Sequence, residues 1–227
     1  MRRPTFFDLA MGVGIVAAAQ FLLGHLPEGL PLHGPSKVLL RNLLFQAVVV
    51  GTCWGFVCRK QGKGWREGFA LTRLPLSQVL LAAGIPVALL LLLVLMLSSG
   101  LLTRTGPSPM GDFVEAPGGL AVVVVIALTA PFVEELAFRG FLFPVLQGKV
   151  GTGWAVAGTA LVFVAIHGPQ YAWKPFSLLP LGVVALVLTL QRARSGSLTP
   201  SLITHQVYDG MICLLGVLGR VFQHPHA

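Results

Sequence analysis

Charge is what this sequence has least of. Only 11% of the 227 residues are charged, where a soluble domain usually carries about 25%. The shortage excludes an ordinary water-soluble globule, and the 55% hydrophobic content excludes a disordered chain more firmly still. Acids are scarcer than bases, eight against 16, for a formal net charge of +8. Apolar runs this long argue against a nucleic-acid partner. In a membrane protein the same basic excess marks loops that face the cytoplasm and favour anionic lipid. Three cysteines, Cys53, Cys58 and Cys213, are too few for a disulfide framework and sit in apolar stretches as packing residues. No internal repeat, separate soluble domain or HExxH zinc signature is present.

What is present is a series of apolar segments, each about the 20 residues that cross a bilayer. They run Phe6–Leu26, Val38–Cys58, Gln78–Leu102, Gly118–Leu146, Gly151–His167 and a little beyond, Phe176–Gln191, and Leu198–Phe222. The expected fold is an all-α polytopic transmembrane bundle of about seven spans (six to eight), forming one integral-membrane domain over 1–227. The fourth segment is too long for a simple span and should kink or break at Pro131. The first segment follows Arg2 and Arg3 and resembles a signal peptide in part. Asp8 near its start and the apolar run on to Leu23 favour an uncleaved first span.

The loop after the second segment holds Arg59, Lys60, Lys63, Arg66 and Arg73 against Glu67. The loop after the sixth holds Arg192 and Arg194. The loops after the first and third carry Glu28, Lys37, Arg104, Asp112 and Glu115. This alternation places the N-terminus in the cytoplasm. The expected location is the inner (plasma) membrane of a bacterium.

Ionisable residues within apolar spans cost about 2.5–3.5 kcal/mol each at a helix centre, so those retained need a reason. They form three clusters in the C-terminal half. In PFVEELAFRG, Glu134 and Glu135 are successive residues about 100° apart on a helix and cannot share a face. Glu135 and Arg139, at i and i+4, suit an ion pair that leaves Glu134 free. A buried arginine shared between both acids is the purely structural alternative. FVAIHG brings Phe163 and His167 onto one helix face. THQVYDG does the same for His205 and Asp209, and an aspartate beside a histidine fixes its tautomer.

If the three clusters converge, a glutamate with a nearby histidine can activate water. A second histidine can then donate to a developing oxyanion. Together these are the parts of an amide hydrolase inside a membrane. Glu134, His167 and His205 could alternatively ligate a divalent metal such as zinc with one position open, so the cofactor is either none or one such ion. Helix depth opposes convergence. At 1.5 Å per residue Glu134 lies about 24 Å into its helix, His167 lies a similar distance from the opposite face, and His205 is shallow. A bend at Pro131 or Pro200, or a tilted fourth helix, would be needed.

These residues resemble the CAAX prenyl protease 2 and bacteriocin-processing family of intramembrane endopeptidases. The motifs are EExxxR (Glu134, Glu135, Arg139), FxxxH (Phe163, His167) and HxxxN/D (His205, Asp209). The resemblance covers about Ala116 to Gly219 as a catalytic core. It implies that Glu134 and His167 activate water, that His205 and Asp209 stabilise the oxyanion, and that Glu135 and Arg139 orient the site. It leaves the mechanism open between metal-dependent and metal-free glutamic proteolysis. Asp209 stands where the prenyl protease has Asn, and an ionised aspartate accepts hydrogen bonds without donating them. The expected partners are membrane lipid and a membrane-associated protein or peptide substrate. A membrane immunity or scaffold protein and a proton-coupled transporter are the alternatives.

Overall fold

The computed structural model describes residues 4–25, 34–99 and 118–223. Glu28, Arg104, Asp112, Glu115 and the last residues of the expected third span lie outside them. The described residues form a helical bundle without strands. Its long helices are α1 (Phe6–Gly24), α2 (Gly34–Val57), α4 (Leu76–Ser98), α5 (Gly119–Glu135), α6 (Phe143–His167), α7 (Pro175–Ser195) and α8 (Thr199–Gln223), with a short α3 (Trp65–Gly68). Six segments are long and apolar enough to cross a membrane.

One of the six, Gly119–Tyr171, has 53 residues. At 1.5 Å per residue that is about 80 Å, far beyond a hydrocarbon core of about 30 Å. The chain resolves the excess by folding back at Gly151, whose φ of 81° and ψ of 168° break α6. The returning half lies along the incoming one. Phe163 meets Phe138 edge to face with centroids 4.9 Å apart, and Gln147 donates to Thr152 Oγ1 at 3.1 Å across the turn. The fourth and fifth expected spans are therefore the two arms of one hairpin, which gives the described residues seven long helical arms.

Pro131 does not break its helix as expected. α5 continues through it, and the departure from α geometry comes later, in a π-helical turn over Leu136–Leu142. Such turns are frequent at functional sites. Gly140 in this turn lets Phe69 approach closely: a Cβ there would lie 2.7 Å from the buried Phe69 ring.

The bundle is apolar outside and polar within. Leu80, Leu81, Leu91 and Leu95 on α4 are 62% to 66% exposed, as lipid-facing residues are, whereas Glu135, Arg139, Thr189, Ser201 and Thr204 are fully buried. In lipid this inversion is favourable, because buried polar groups find partners that hydrocarbon cannot offer.

Two basic loops and the start of α1 share one end of the bundle. Leu198 N–H and Ser197 Oγ both donate to the Ala70 carbonyl, at 3.1 and 3.0 Å. Thr72 N–H donates to Thr199 Oγ1 at 3.0 Å, and that hydroxyl donates back to the Thr72 carbonyl at 2.9 Å. Asp8 closes a capping box with Thr5 and is paired with Lys60. The acid that interrupts the first apolar run is thus an anchor to the loop after α2.

Gly140→Val should destabilise the protein by about 1–3 kcal/mol through overpacking against Phe69. Gly148→Ala, where an added Cβ meets nothing within 4 Å, should stabilise the helix by about 0.5–1 kcal/mol. Thermal unfolding in detergent separates the two.

Candidate active site

The site begins with a buried charge pair. Arg139 and Glu135 are both fully buried, and Nη1 donates to Glu135 Oε1 at 2.9 Å. The rest of the guanidinium is also occupied. Nη2 donates to the Ala185 carbonyl at 2.9 Å and Nε donates to Thr189 Oγ1 at 3.2 Å. Its carbon lies 4.8 Å from the centre of the Phe163 ring, within cation–π range. The arginine pairs with one acid only, so it is not shared between Glu134 and Glu135.

The π turn is held from α7 as well. Arg192 Nε donates to the Arg139 carbonyl at 3.1 Å, supplying a donor from outside the helix where the turn is irregular. Thr189 and Arg192 are supports that the sequence reading missed. Thr189 had no visible signal. Arg192 was read only as a loop charge, although a basic residue at the end of an apolar span can reach back into the bundle.

Two histidines reach this framework through Nδ1. His205 Nδ1–H donates to Glu135 Oε1 at 3.0 Å, and His167 Nδ1–H donates to the Phe163 carbonyl at 2.7 Å. Each bond fixes the ring and turns Nε2 to the same place. Glu134 occupies that place. Its Oε1 lies 3.9 Å from His167 Nε2 and its Oε2 lies 3.7 Å from His205 Nε2. Asp209 Oδ1 lies 3.9 Å from the same His205 nitrogen. The sequence pattern suggested that Asp209 fixes the His205 tautomer. The hydrogen-bonded partner is Glu135, because His205 projects from α8 onto the buried acid of α5.

Separations of 3.7–3.9 Å are too long for direct hydrogen bonds and short enough for one bridging water. The Glu134 side chain is 27% exposed and that of Asp209 is 34%, whereas Glu135 and Arg139 are fully buried. The hairpin at Gly151 and the π turn answer the depth problem. The first carries His167 back beside α5, and the second begins at the level of Glu135.

Among the described residues no group of three or more His, Cys, Asp or Glu side chains is placed to hold a metal ion. The gaps from Glu134 to His167 and His205 are wider than tetrahedral ligands leave around a zinc ion at about 2.0–2.1 Å. The three side chains face one another without forming a metal cage.

Residues 116–211 match the family model of type II CAAX prenyl endopeptidases, Rce1-like. Over this stretch the chain is similar to the CAAX endopeptidase family. The match runs from α5 into α8 and includes all three motifs, from Glu134 to Asp209. No curated protein and no solved structure matches the chain. The six long apolar segments, together with this similarity, support an integral membrane protein. α1, α2 and α4 lie outside the matched CAAX endopeptidase stretch. They still pack on it, α4 against α8 and α2 against α5.

Arg139→Met should cost about 3–5 kcal/mol, because it strands the Glu135 charge in the bundle. Arg139→Lys should recover only part of this, since one ammonium cannot reproduce the planar fork that meets Glu135, Ala185 and Thr189. Thermal unfolding of the purified variants reads both effects.

Proposed function

We propose that the protein is an intramembrane endopeptidase that hydrolyses a peptide bond in a membrane-associated protein or peptide. The observation that supports this most is the Glu134 carboxylate set between two Nε2 atoms at 3.9 and 3.7 Å. Each of those rings is anchored through its other nitrogen.

In this reading one water donates to Glu134 and to His167 Nε2. Glu134 takes its proton as the oxygen attacks the scissile carbonyl carbon. The carbonyl π pair moves onto oxygen. His205, carrying protons on both nitrogens, donates from Nε2 to that oxyanion while Nδ1–H remains bound to Glu135. Asp209, which only accepts when ionised, balances the imidazolium charge and does not donate to the oxyanion. On collapse the C–N bond breaks and Glu134 returns its proton to the leaving nitrogen. Glu135 and Arg139 hold His205 in register. The reaction is written for a glutamic-type enzyme, with its core in about 116–219.

The basic loops and the start of α1 lie at one end. By the positive-inside rule that end, with the N-terminus, faces the cytoplasm, in the plasma membrane of a bacterium. His205 is six residues from the start of α8, about 9 Å along the helix. The scissile bond is therefore cut near the cytoplasmic face.

Glu134→Gln and His167→Ala should each lower cleavage about 10²–10⁴-fold, the usual contribution of a positioned acid or base. Both side chains are partly exposed, so the variants should insert and unfold like wild type. Cleavage of membrane proteins from the same cell, reconstituted with each variant, is the assay. Full activity in either variant would overturn the assignment.

A further inference from the structure

The cluster around Glu134 uses α5 to α8 and takes nothing from α1 or α2. Between those two helices runs a groove of about 660 Å³, within the size range of small-molecule sites. Ile15, Gly51, Thr52, Gly55 and Phe56 line it, with Arg59 and Lys60 at one end. Gly51 and Gly55 are one turn apart on α2, and a Cβ on either would meet nothing within 4 Å. The shelf they form is therefore open. From Arg59 to Gly51 is eight residues, about 12 Å along the helix. The groove thus starts at the basic end of the bundle and runs inward along apolar surface.

The two cations at its mouth differ. Lys60 is paired with Asp8. Arg59 is exposed and has no ion-pair partner among the described residues. A charged mouth at the level of the basic loops, continued by an open apolar surface, matches an anionic lipid in charge and in its order of polar head and apolar chain. Basic pockets between transmembrane helices on this face bind anionic headgroups. We propose that the groove binds one anionic phospholipid, with its phosphate against Arg59 and an acyl chain on the Gly51–Gly55 shelf. The back wall is Phe56, which stacks on Phe141 of the π turn with centroids 5.8 Å apart. The lipid therefore sits one ring from the segment that follows Glu135. This site does not depend on the proteolytic reading.

The test titrates the purified full chain, in phosphatidylcholine nanodiscs, with phosphatidylglycerol, and counts bound lipid by native mass spectrometry. Phosphatidylglycerol should saturate at one tightly held copy per chain. Arg59→Gln should weaken it about fivefold, the share of one basic residue near a membrane surface. Gly55→Leu should fill the shelf and displace the lipid while leaving lipid-free thermal stability at or above the wild-type value, since a side chain there meets nothing within 4 Å. Inorganic phosphate at the same concentration should not compete, because it lacks the chain. Equal retention of phosphatidylcholine, unchanged binding in both variants, or full competition by inorganic phosphate would each overturn the proposal. So would a dimer that Gly55→Leu splits without altering lipid binding, since the groove would then be a contact between two copies.

Discussion

The Arg139–Glu135 pair is the interaction on which the rest of the structure depends. Two opposite charges without solvent exposure are costly unless every donor and lone pair is used well. Here the guanidinium meets a carboxylate, a carbonyl, a hydroxyl and an aromatic face. That coordination needs three separate helices in fixed positions. α5 and its π turn bring the pair, α6 brings Phe163, and α7 brings Ala185 and Thr189. The same Glu135 oxygen then accepts from His205 and ties in α8. A low-dielectric interior makes such a network worth making completely and costly to leave half made.

This arrangement separates two adjacent glutamates into different tasks. Glu135 turns inward and is consumed by Arg139 and His205. Glu134, about 100° further round the helix, stays partly exposed and meets two imidazole nitrogens. The protein thus ties one acid through Oε1 to Arg139 and His205 and leaves the next partly exposed. Both histidines are oriented by bonds at Nδ1, one to a side chain and one to backbone, so neither depends on Glu134 for its position.

Much of this was legible in the residues. Scarcity of charge identified the lipid solvent, and the lengths of the apolar runs gave the helical bundle and the long helical arms of the described residues. The i, i+4 spacing of Glu135 and Arg139 gave their pairing. The joining of the fourth and fifth spans was hidden, because a hairpin at Gly151 and a loop between two helices have the same composition. The π turn was hidden too, since the groups that contact it, Phe69 packed against Gly140 and Arg192 from α7, are distant in sequence. The partner of His205 was misread toward Asp209, as local spacing shows same-helix neighbours and is blind to contacts 70 residues apart. Straight helices seemed to hold Glu134, His167 and His205 at different depths. The hairpin and the π turn, neither visible as a periodicity, remove that conflict.

The central claim is that both rings are held through Nδ1 so that both Nε2 atoms face Glu134. Nitrogen-15 NMR of the folded protein, with His167 and His205 assigned by substitution, tests it most directly. The account predicts a hydrogen on Nδ1 in both rings. A bare Nδ1 in either ring would contradict it, because that ring could not then donate to Phe163 or Glu135, and its Nε2 would have no reason to face Glu134.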